Sequence, residues 1–163
     1  MTYLVVSDTH GRADRLREAI QRQSELDGII FLGDGYADLR CAEDLGIPVH
    51  AVKGNCDYMP LFYPETVQEE LLLHLGAYTV LVTHGHRYGV KGGTGALIAS
   101  ARGRGAHIVL FGHTHERCEQ YDTNGTPVYA FNPGSLGAPR TGGASFGILH
   151  IRGGQVLLSH GDL

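Results

Sequence analysis

Apolar runs and helical spacings alternate along the first third of the chain. Short runs of apolar and β-branched residues are typical of buried strands, and apolar residues at every third or fourth position are typical of amphipathic helices. Leu16, Ala19 and Ile20 have this helical spacing. The pattern predicts a strand, a helix, a strand, a helix and a strand, at residues 3–6, 12–26, 29–32, 36–45 and 49–53. This order implies parallel strands joined by right-handed crossovers.

The pattern changes after Pro60 and Pro64, where signals for hairpins begin. It predicts two strands around a Gly76-Ala77 turn, then a helix and a buried strand, at residues 66–75, 78–83, 94–104 and 108–111. Asn124-Gly125 and Gly153-Gly154 are turn signals, which predict an antiparallel meander in the last third. A parallel start and a hairpin-rich end predict an α/β (α+β) fold, with two packed sheets and helices outside them.

Composition narrows the class of protein. The 163 residues, 42% hydrophobic and 18% charged, suit one globular domain over residues 1–163. A net charge of −4 argues against extended nucleic acid as a partner, and so against a nuclease with a basic groove. No apolar run approaches the ~20 residues that cross a bilayer, and no signal segment opens the chain. The three cysteines form no CxxC pair, which fits a reducing compartment. We expect a cytoplasmic protein with no membrane partner.

Polar clusters follow the predicted strands at the point where each strand ends. There are five such clusters, in the order Asp8-Thr9-His10, Gly33-Asp34, Gly54-Asn55-Cys56-Asp57, His84-Gly85-His86 and Gly112-His113-Thr114-His115. Open α/β sheets place their binding sites at the carboxyl ends of the strands. In an extended segment, Asp-x-His and His-x-His spacing puts alternate side chains on one side, so both members of a pair can face one ion.

The residue types in these clusters fit a pair of metal ions. Imidazoles favour first-row transition ions, while carboxylate and amide oxygens add harder donors. Two dications exceed the charge of Asp8 and Asp34, so the site stays cationic and suits a phosphate ester. Metals about 4 Å apart lower the pKa of bound water and hold the attacking and leaving oxygens. A structural zinc site is the alternative without catalysis, but such a site usually has four protein ligands, often thiolates, and no open position.

The ordered clusters resemble the motifs of the calcineurin-like metallophosphoesterase superfamily. The chain length and Asn132-Pro133-Gly134-Ser135 are similar to the small phosphodiesterases of the YfcE type. The resemblance implies a four-layer αββα sandwich of two mixed sheets. It also implies two divalent transition metals, with Mn²⁺ preferred and Fe, Zn²⁺, Ni²⁺ or Co²⁺ as alternatives, and a homodimer or homotetramer.

The resemblance assigns the candidate ligands to two metal positions. The first position takes Asp8, His10 and His115, the second takes Asn55, His84 and His113, and Asp34 bridges the two. The implied reaction is in-line attack of a bridging hydroxide on a small phosphodiester.

Three further positions are candidates for a catalytic role beside Asp34 and Asn55. Cys56 stands where many superfamily members have a histidine, and a thiol is a weak proton donor. We therefore expect diesters with good leaving groups to react best. Asp57 is expected to orient its loop. His86 matches a family position, where it supports a ligand or faces the substrate, or only packs.

Several alternatives stay open at the level of the sequence. A phosphomonoesterase acting on a small phosphometabolite uses the same metal geometry, and a protein-binding scaffold without catalysis uses the same fold. The turn at Asn132–Ser135 either contacts phosphate or is structural. The loop Lys91-Gly92-Gly93-Thr94-Gly95 either places backbone N–H groups near an anion or is a flexible connection.

Overall fold

The computed structural model describes residues 1–58 and 66–163, and it arranges them in strands, helices and loops. The strands are β1 Thr2–Val6, β2 Gly28–Phe31, β3 Val49–Ala51, β4 Glu70–Leu75, β5 Tyr78–Thr83, β6 Ile108–Leu110, β7 Arg117–Asp122, β8 Val128–Pro133, β9 Ser145–Arg152 and β10 Gln155–Asp162. The α-helices are α1 Ala13–Gln21 and α2 Gly95–Gly103, and two 3-10 helices span Tyr36–Leu45 and His86–Tyr88.

These strands form two mixed five-stranded sheets. In the first sheet the order is β10-β9-β1-β2-β3, with β1, β2 and β3 parallel. In the second sheet the order is β4-β5-β6-β8-β7, with β5, β6 and β8 parallel. The remaining pairs are antiparallel. The central strands of each sheet are thus parallel. The loops that follow their carboxyl ends lie at the same end of the sheet, where they can meet.

Three apolar cores separate four layers, which confirms the predicted αββα sandwich. The central core lies between the sheets and includes Val5, Ile30 and Leu110. A second core packs α1 and the long 3-10 helix on the first sheet, and a third packs α2 on the second sheet. Neighbouring strand residues face opposite cores, so Val5 is central while Val6 faces α1. Because both faces are buried, the parallel strands are continuous apolar runs.

The first third of the chain has the predicted order of elements, with two differences. The helix expected over 12–26 ends at Gln21, and Asp27 instead accepts the Thr2 backbone N–H at 2.6 Å through its carboxylate. Gly28 begins β2, where a Cβ would lie 2.9 Å from the Tyr3 ring. The helix at Tyr36–Leu45 is 3-10 rather than α.

The last third is not the single meander that the turn signals predicted. β7 and β8 pair in the second sheet, whereas β9 and β10 pair in the first. β8 also runs parallel to β6, and β9 pairs with β1. Turn signals specify only local hairpins, and the sheet that each hairpin joins depends on long-range packing.

Two further expectations concern the segment after β3 and membrane spanning. The strand expected over 66–75 begins at Glu70, and Pro60 and Pro64 lie outside the described residues. Within residues 1–58 and 66–163, no helix is long and apolar enough to cross a membrane.

Candidate metal centre

Loops that follow β1, β2, β3, β5 and β6 meet at one edge of the sandwich, as the sequence predicted. Three overlapping groups of side chains there have ligand atoms within 4.8 Å of one another. These groups are Asp8, His10 and His115; Asp8, Asp34 and His84; and His10, Asp34 and Cys56. The centre thus contains carboxylates and imidazoles contributed by both sheets.

Asp8, His10 and His115 form the first set of donors. The Asp8 Oδ1 atom lies 3.1 Å from His115 Nε2 and 3.7 Å from His10 Nε2, and the two ring nitrogens are 3.3 Å apart. Asp8 is fully buried, and its Oδ1 has no hydrogen-bond partner among the described residues. A buried carboxylate oxygen without a donor is costly unless a cation neutralises it, so this set fits a metal ion.

His84 is the centre of the second set of donors. Its Nε2 lies 3.2 Å from Asn55 Oδ1 and 3.3 Å from Asp34 Oδ2. Its Nδ1 lies 2.7 Å from the Leu32 carbonyl oxygen, to which it donates in the neutral ring. That hydrogen bond leaves the Nε2 lone pair directed at the other donors, which is the usual arrangement of a metal-binding histidine.

Asp34 lies between the two sets. Its Oδ2 is 3.3 Å from His84 Nε2 and 3.8 Å from His10 Nε2. Its Oδ1 accepts the backbone N–H of Cys56 at 2.8 Å, which fixes the carboxylate. Asp34 Oδ2 thus lies near a histidine of each set.

His113 and His115 diverge, as their assignment to two different metal positions requires. The His113 ring lies 5.1 Å from the His84 ring and 6.0 Å from the His86 ring, on the side of the second set. The ligand segments are not extended, so residues two positions apart do not face the same side. Asp8, His10, His113 and His115 have φ values of 53°, 45°, 68° and 60°, which belong to left-handed backbone.

Among the described residues, the only non-glycine residues with left-handed backbone are predicted ligands. With Asp34 at φ 61°, these are the five non-glycine residues whose φ is positive. Each such residue costs about 1–2 kcal/mol relative to a relaxed backbone. Strain of this kind clusters at functional sites, where the surrounding structure compensates for it.

Asp57 is the main compensating group and does not enter the donor cluster. Its carboxylate accepts four backbone N–H groups, at 2.7 Å from Asp34, 2.9 Å from Gly35, 3.0 Å from Tyr36 and 2.9 Å from Gly54. The side chain therefore joins the loop that carries Asp34 to the loop that carries Asn55. This geometry agrees with the orienting role expected from the sequence.

The carboxylates and imidazoles shift one another's pKa values. Burial opposes ionisation of Asp8, but the nearby His10 and His115 imidazoles hold its pKa well below the usual range. Asp34 also has a lowered pKa, because His84 and the Cys56 N–H outweigh burial. The pKa of His84 is raised by Asp34 and Asp8 against its burial. The Asp8 carboxylate, 3.1 Å from Nε2, raises the pKa of His115. Both carboxylates are thus ionised at neutral pH.

Cys56 sits at the rim of the centre with its side chain exposed. Burial of the thiol atom and the nearby Asp34 carboxylate raise the pKa of Cys56 to about 11. Its Sγ accepts a hydrogen bond from Asn55 Nδ2 at 3.3 Å. A protonated thiol is a poor nucleophile, although a bound cation would lower this pKa.

His86 lies beside the second set of donors. Its ring is 5.5 Å from the His84 ring, and its buried Nδ1 has no hydrogen-bond partner among the described residues. Burial and the nearby His84 lower the pKa of His86, so the ring is neutral at pH 7. His86 thus places a neutral ring, with one buried nitrogen unpaired among the described residues, next to the donors.

The turn at Asn132–Ser135 supports the ligand loops and does not face the centre. Asn132 is fully buried, and its Nδ2 donates to the Gly112 carbonyl at 3.0 Å and to Thr114 Oγ1 at 3.1 Å. Ser135 Oγ donates to the Asp8 carbonyl at 2.8 Å. Of the two alternatives left open, the structural one agrees with these contacts.

Ser7 is a supporting residue that the sequence did not single out. Its hydroxyl donates to Asp8 Oδ2, which also accepts the His113 backbone N–H at 3.1 Å. With Oδ2 held in this way, Oδ1 is directed at His10 and His115. A serine before the first ligand carries no distinctive signal, because its partner is the neighbouring side chain in a buried loop.

Comparison with known proteins agrees with this geometry. Residues 1–154 match the family model of the calcineurin-like phosphoesterase superfamily domain. The chain is 34% identical over 141 residues to the probable metallophosphoesterase YsnB of Bacillus subtilis (strain 168), covering 86% of this chain and 78% of that protein.

Two solved structures extend the comparison at the level of the fold. The phosphoesterase YfcE of Escherichia coli is 24% identical, with a TM-score of 0.70, and the match covers 92% of this chain and 88% of that one. Vps29 of Chaetomium thermophilum is 14% identical, with a TM-score of 0.79, and the match covers 98% and 86%. Both matches are below 25% identity, so they show the fold alone, and a fold does not assign an activity.

Proposed function

This chain belongs to the calcineurin-like phosphoesterase superfamily, and we propose that it is a two-metal phosphodiesterase that hydrolyses small phosphodiesters. The observation that carries the proposal is the arrangement of two donor sets around Asp34. One set is Asp8, His10 and His115, and the other is Asn55 and His84, with the His113 ring beside it.

The backbone at these positions supports the same conclusion. Five candidate ligands have left-handed backbone, although they are not glycines. Selection for stability alone would favour glycine at such positions. Aspartate and histidine are retained where their side chains are needed, which supports metal binding at all five positions.

The protein residues bind and orient, and the metals supply the chemistry. When bound, a pair of dications makes water a competent nucleophile at neutral pH and neutralises the charge of the phosphate. Asp34 would hold both ions, Asp57 fixes the Asp34 and Asn55 loops, and His86 presents a neutral ring beside the second set. We propose Mn²⁺ as the preferred metal, with Fe, Zn²⁺, Ni²⁺ and Co²⁺ as alternatives.

The choice of diester over monoester rests on the residue after Asn55. A protonated Cys56 thiol is a weaker acid than an imidazolium and gives a leaving group little help. Diesters with good leaving groups need little help, so they should react faster than esters of poor leaving groups. The cytoplasmic location and a homodimer or homotetramer stay predictions.

A substrate screen tests the proposal. The protein is loaded separately with each metal and assayed against bis-4-nitrophenyl phosphate and 4-nitrophenyl phosphate, followed by nucleotide diesters. A higher kcat/KM for the diester is the expected result, with Mn²⁺ giving the highest rate.

The two rival functions give different results in this screen. Equal or faster hydrolysis of the monoester would replace the diesterase by a phosphomonoesterase. Protein that binds no metal by mass spectrometry and hydrolyses neither ester would support a protein-binding scaffold.

A further inference from the structure

A cavity borders the loop that carries His113 and His115. It has a volume of about 250 Å³, and its lining includes Val90 and Phe111. Its wall includes Thr114, which lies between His113 and His115 in the chain. A cavity of this size is smaller than the roughly 300–1,000 Å³ that holds a whole small ligand, so it suits one part of a substrate.

Two cations line this cavity without a partner of their own. The side chains of Lys91 and Arg140 form no hydrogen bond or ion pair with any residue in 1–58 or 66–163. By contrast, Arg102 and Arg104 pair with the carboxylates Asp122 and Glu70. Lys91 and Arg140 are both exposed, so their cationic groups are open to an anion.

The other charges on the wall do not cancel this field. Arg117 also lines the cavity and pairs with Asp162. Glu116 is the acidic residue of the wall, so Lys91 and Arg140 leave the wall net positive.

The start of α2 adds to the positive field. Thr94 lines the cavity and directly precedes α2, whose first-turn N–H groups have no partner within the helix. The positive end of the helix dipole therefore lies at this wall. Added Cβ atoms at Gly93 and Gly95 would meet nothing within 4 Å, so the backbone here is open to a ligand.

The cavity is tied to the metal centre by the loop that they share. The Arg140 backbone N–H donates to the His115 carbonyl at 3.1 Å. The cavity therefore borders the loop that carries two of the candidate ligands.

We propose that this cavity binds a substituent of the phosphodiester that bears a carboxylate or a phosphate, held by Lys91 and Arg140. The proposal rests on the proposed phosphodiesterase function. It narrows the substrate class to diesters with a second anionic group.

A kinetic experiment compares substrates that share a leaving group. The three probes are 4-nitrophenyl diesters of ethanol, 3-hydroxypropanoate and 2-hydroxyethylphosphonate. For metal-loaded wild type we expect kcat/KM to be at least about tenfold higher for the two anionic esters, since a charge-assisted hydrogen bond contributes this much. The larger of the two ratios distinguishes a carboxylate from a phosphate.

Variants assign the preference to the cavity. In Lys91→Gln and Arg140→Gln the ratio should fall to about one. Arg152→Gln is the matched control. Arg152 is an exposed arginine at the end of β9, next to the amino end of β1 and therefore at the end of the sheet opposite the candidate ligands. It should keep the wild-type ratio and rates. A ratio near one in wild type, or one unchanged in both variants, would overturn the proposal.

A binding measurement separates failure of this inference from failure of the proposed function. Metal-free protein is titrated calorimetrically with 2-carboxyethyl phosphate, and the apparent Kd of Lys91→Gln and Arg140→Gln should be about tenfold higher than in wild type. If the protein is inactive but its Kd still depends on Lys91 and Arg140, the anion-binding cavity stands and the proposed phosphodiesterase function fails. If the protein is active but its Kd does not depend on these residues, only the proposal for the cavity fails.

Discussion

Left-handed backbone occurs at both ends of the sandwich, but the residue types that adopt it differ between the two ends. At the end opposite the metal centre, left-handed positions in the hairpin turns are taken by glycines, namely Gly76, Gly125, Gly153 and Gly154. At the metal centre they are also taken by aspartates and histidines, namely Asp8, His10, Asp34, His113 and His115. Glycine adopts this conformation without steric cost, whereas a residue with a Cβ does not.

The difference shows which end is arranged for stability and which for chemistry. Strain at the metal centre is offset by hydrogen bonds that the turns lack, above all the four that Asp57 accepts. A turn that only reverses the chain needs no such support. The comparison therefore predicts that substitutions at the two ends have different effects on activity and on stability.

The largest effect is expected at Asp34. Asp34→Asn keeps the shape of the side chain but removes the charge that lies between the two donor sets. Turnover of a chromogenic diester should fall on the order of 10³-fold, as for removal of a group on which the whole site depends. Metal content, measured by mass spectrometry, should fall as well. A variant with near wild-type turnover would contradict the bridging role.

Asp57→Asn tests the support of the strained loops. An amide has one oxygen to accept these N–H groups, and its own NH₂ would face the others. We expect a loss of about 3 kcal/mol in the free energy of unfolding, measured by urea denaturation of the metal-free protein. Turnover should also fall, because the Asp34 and Asn55 loops would shift.

The control for Asp57 is Asp44→Asn, at an exposed aspartate in the 3-10 helix. Its stability should stay within about 0.5 kcal/mol of wild type, as for ordinary surface substitutions. If both variants unfolded at the same urea concentration, Asp57 would have no special part in holding the site.

The ligand clusters were predictable because they depend on strand order. Asp8 and Asp34 follow neighbouring parallel strands, and the carboxyl ends of such strands share one edge. The identity of the fold followed from the same series of motifs.

Several other features of the fold and site were not predictable from local pattern. The divergence of His113 from His115 depends on left-handed backbone, which residue spacing does not encode. The separation of the last two hairpins into different sheets depends on β8 pairing with β6 and β9 pairing with β1. The contacts of Asn132 join residues that are 18 to 20 positions apart in the chain.

At the opposite end, Gly153→Ala tests the cost of the same conformation without a metal site. Gly153 has φ 59°, and an added Cβ would meet nothing within 4 Å, so backbone strain alone is measured. The free energy of unfolding should fall by about 1 kcal/mol. Diesterase activity should stay at the wild-type level, because the β9–β10 turn is far from the ligands along the sheet. Lower activity at full folding would contradict the division between the two ends.

The smallest effect, and the most direct test of the comparison, is the difference in stability between two variants at His10. His10→Ala and His10→Gly both remove the ligand, but only glycine relaxes at φ 45°. In metal-free protein we expect the glycine variant to be about 0.5 kcal/mol more stable than the alanine variant, since strain relief exceeds the added entropy of the unfolded chain. Both should lose metal and activity alike. Because the lost imidazole is common to the pair, a difference in urea midpoint reports on the backbone alone. If alanine were the more stable, the left-handed ligand positions would carry no strain, and the contrast between the two ends would be one of composition only.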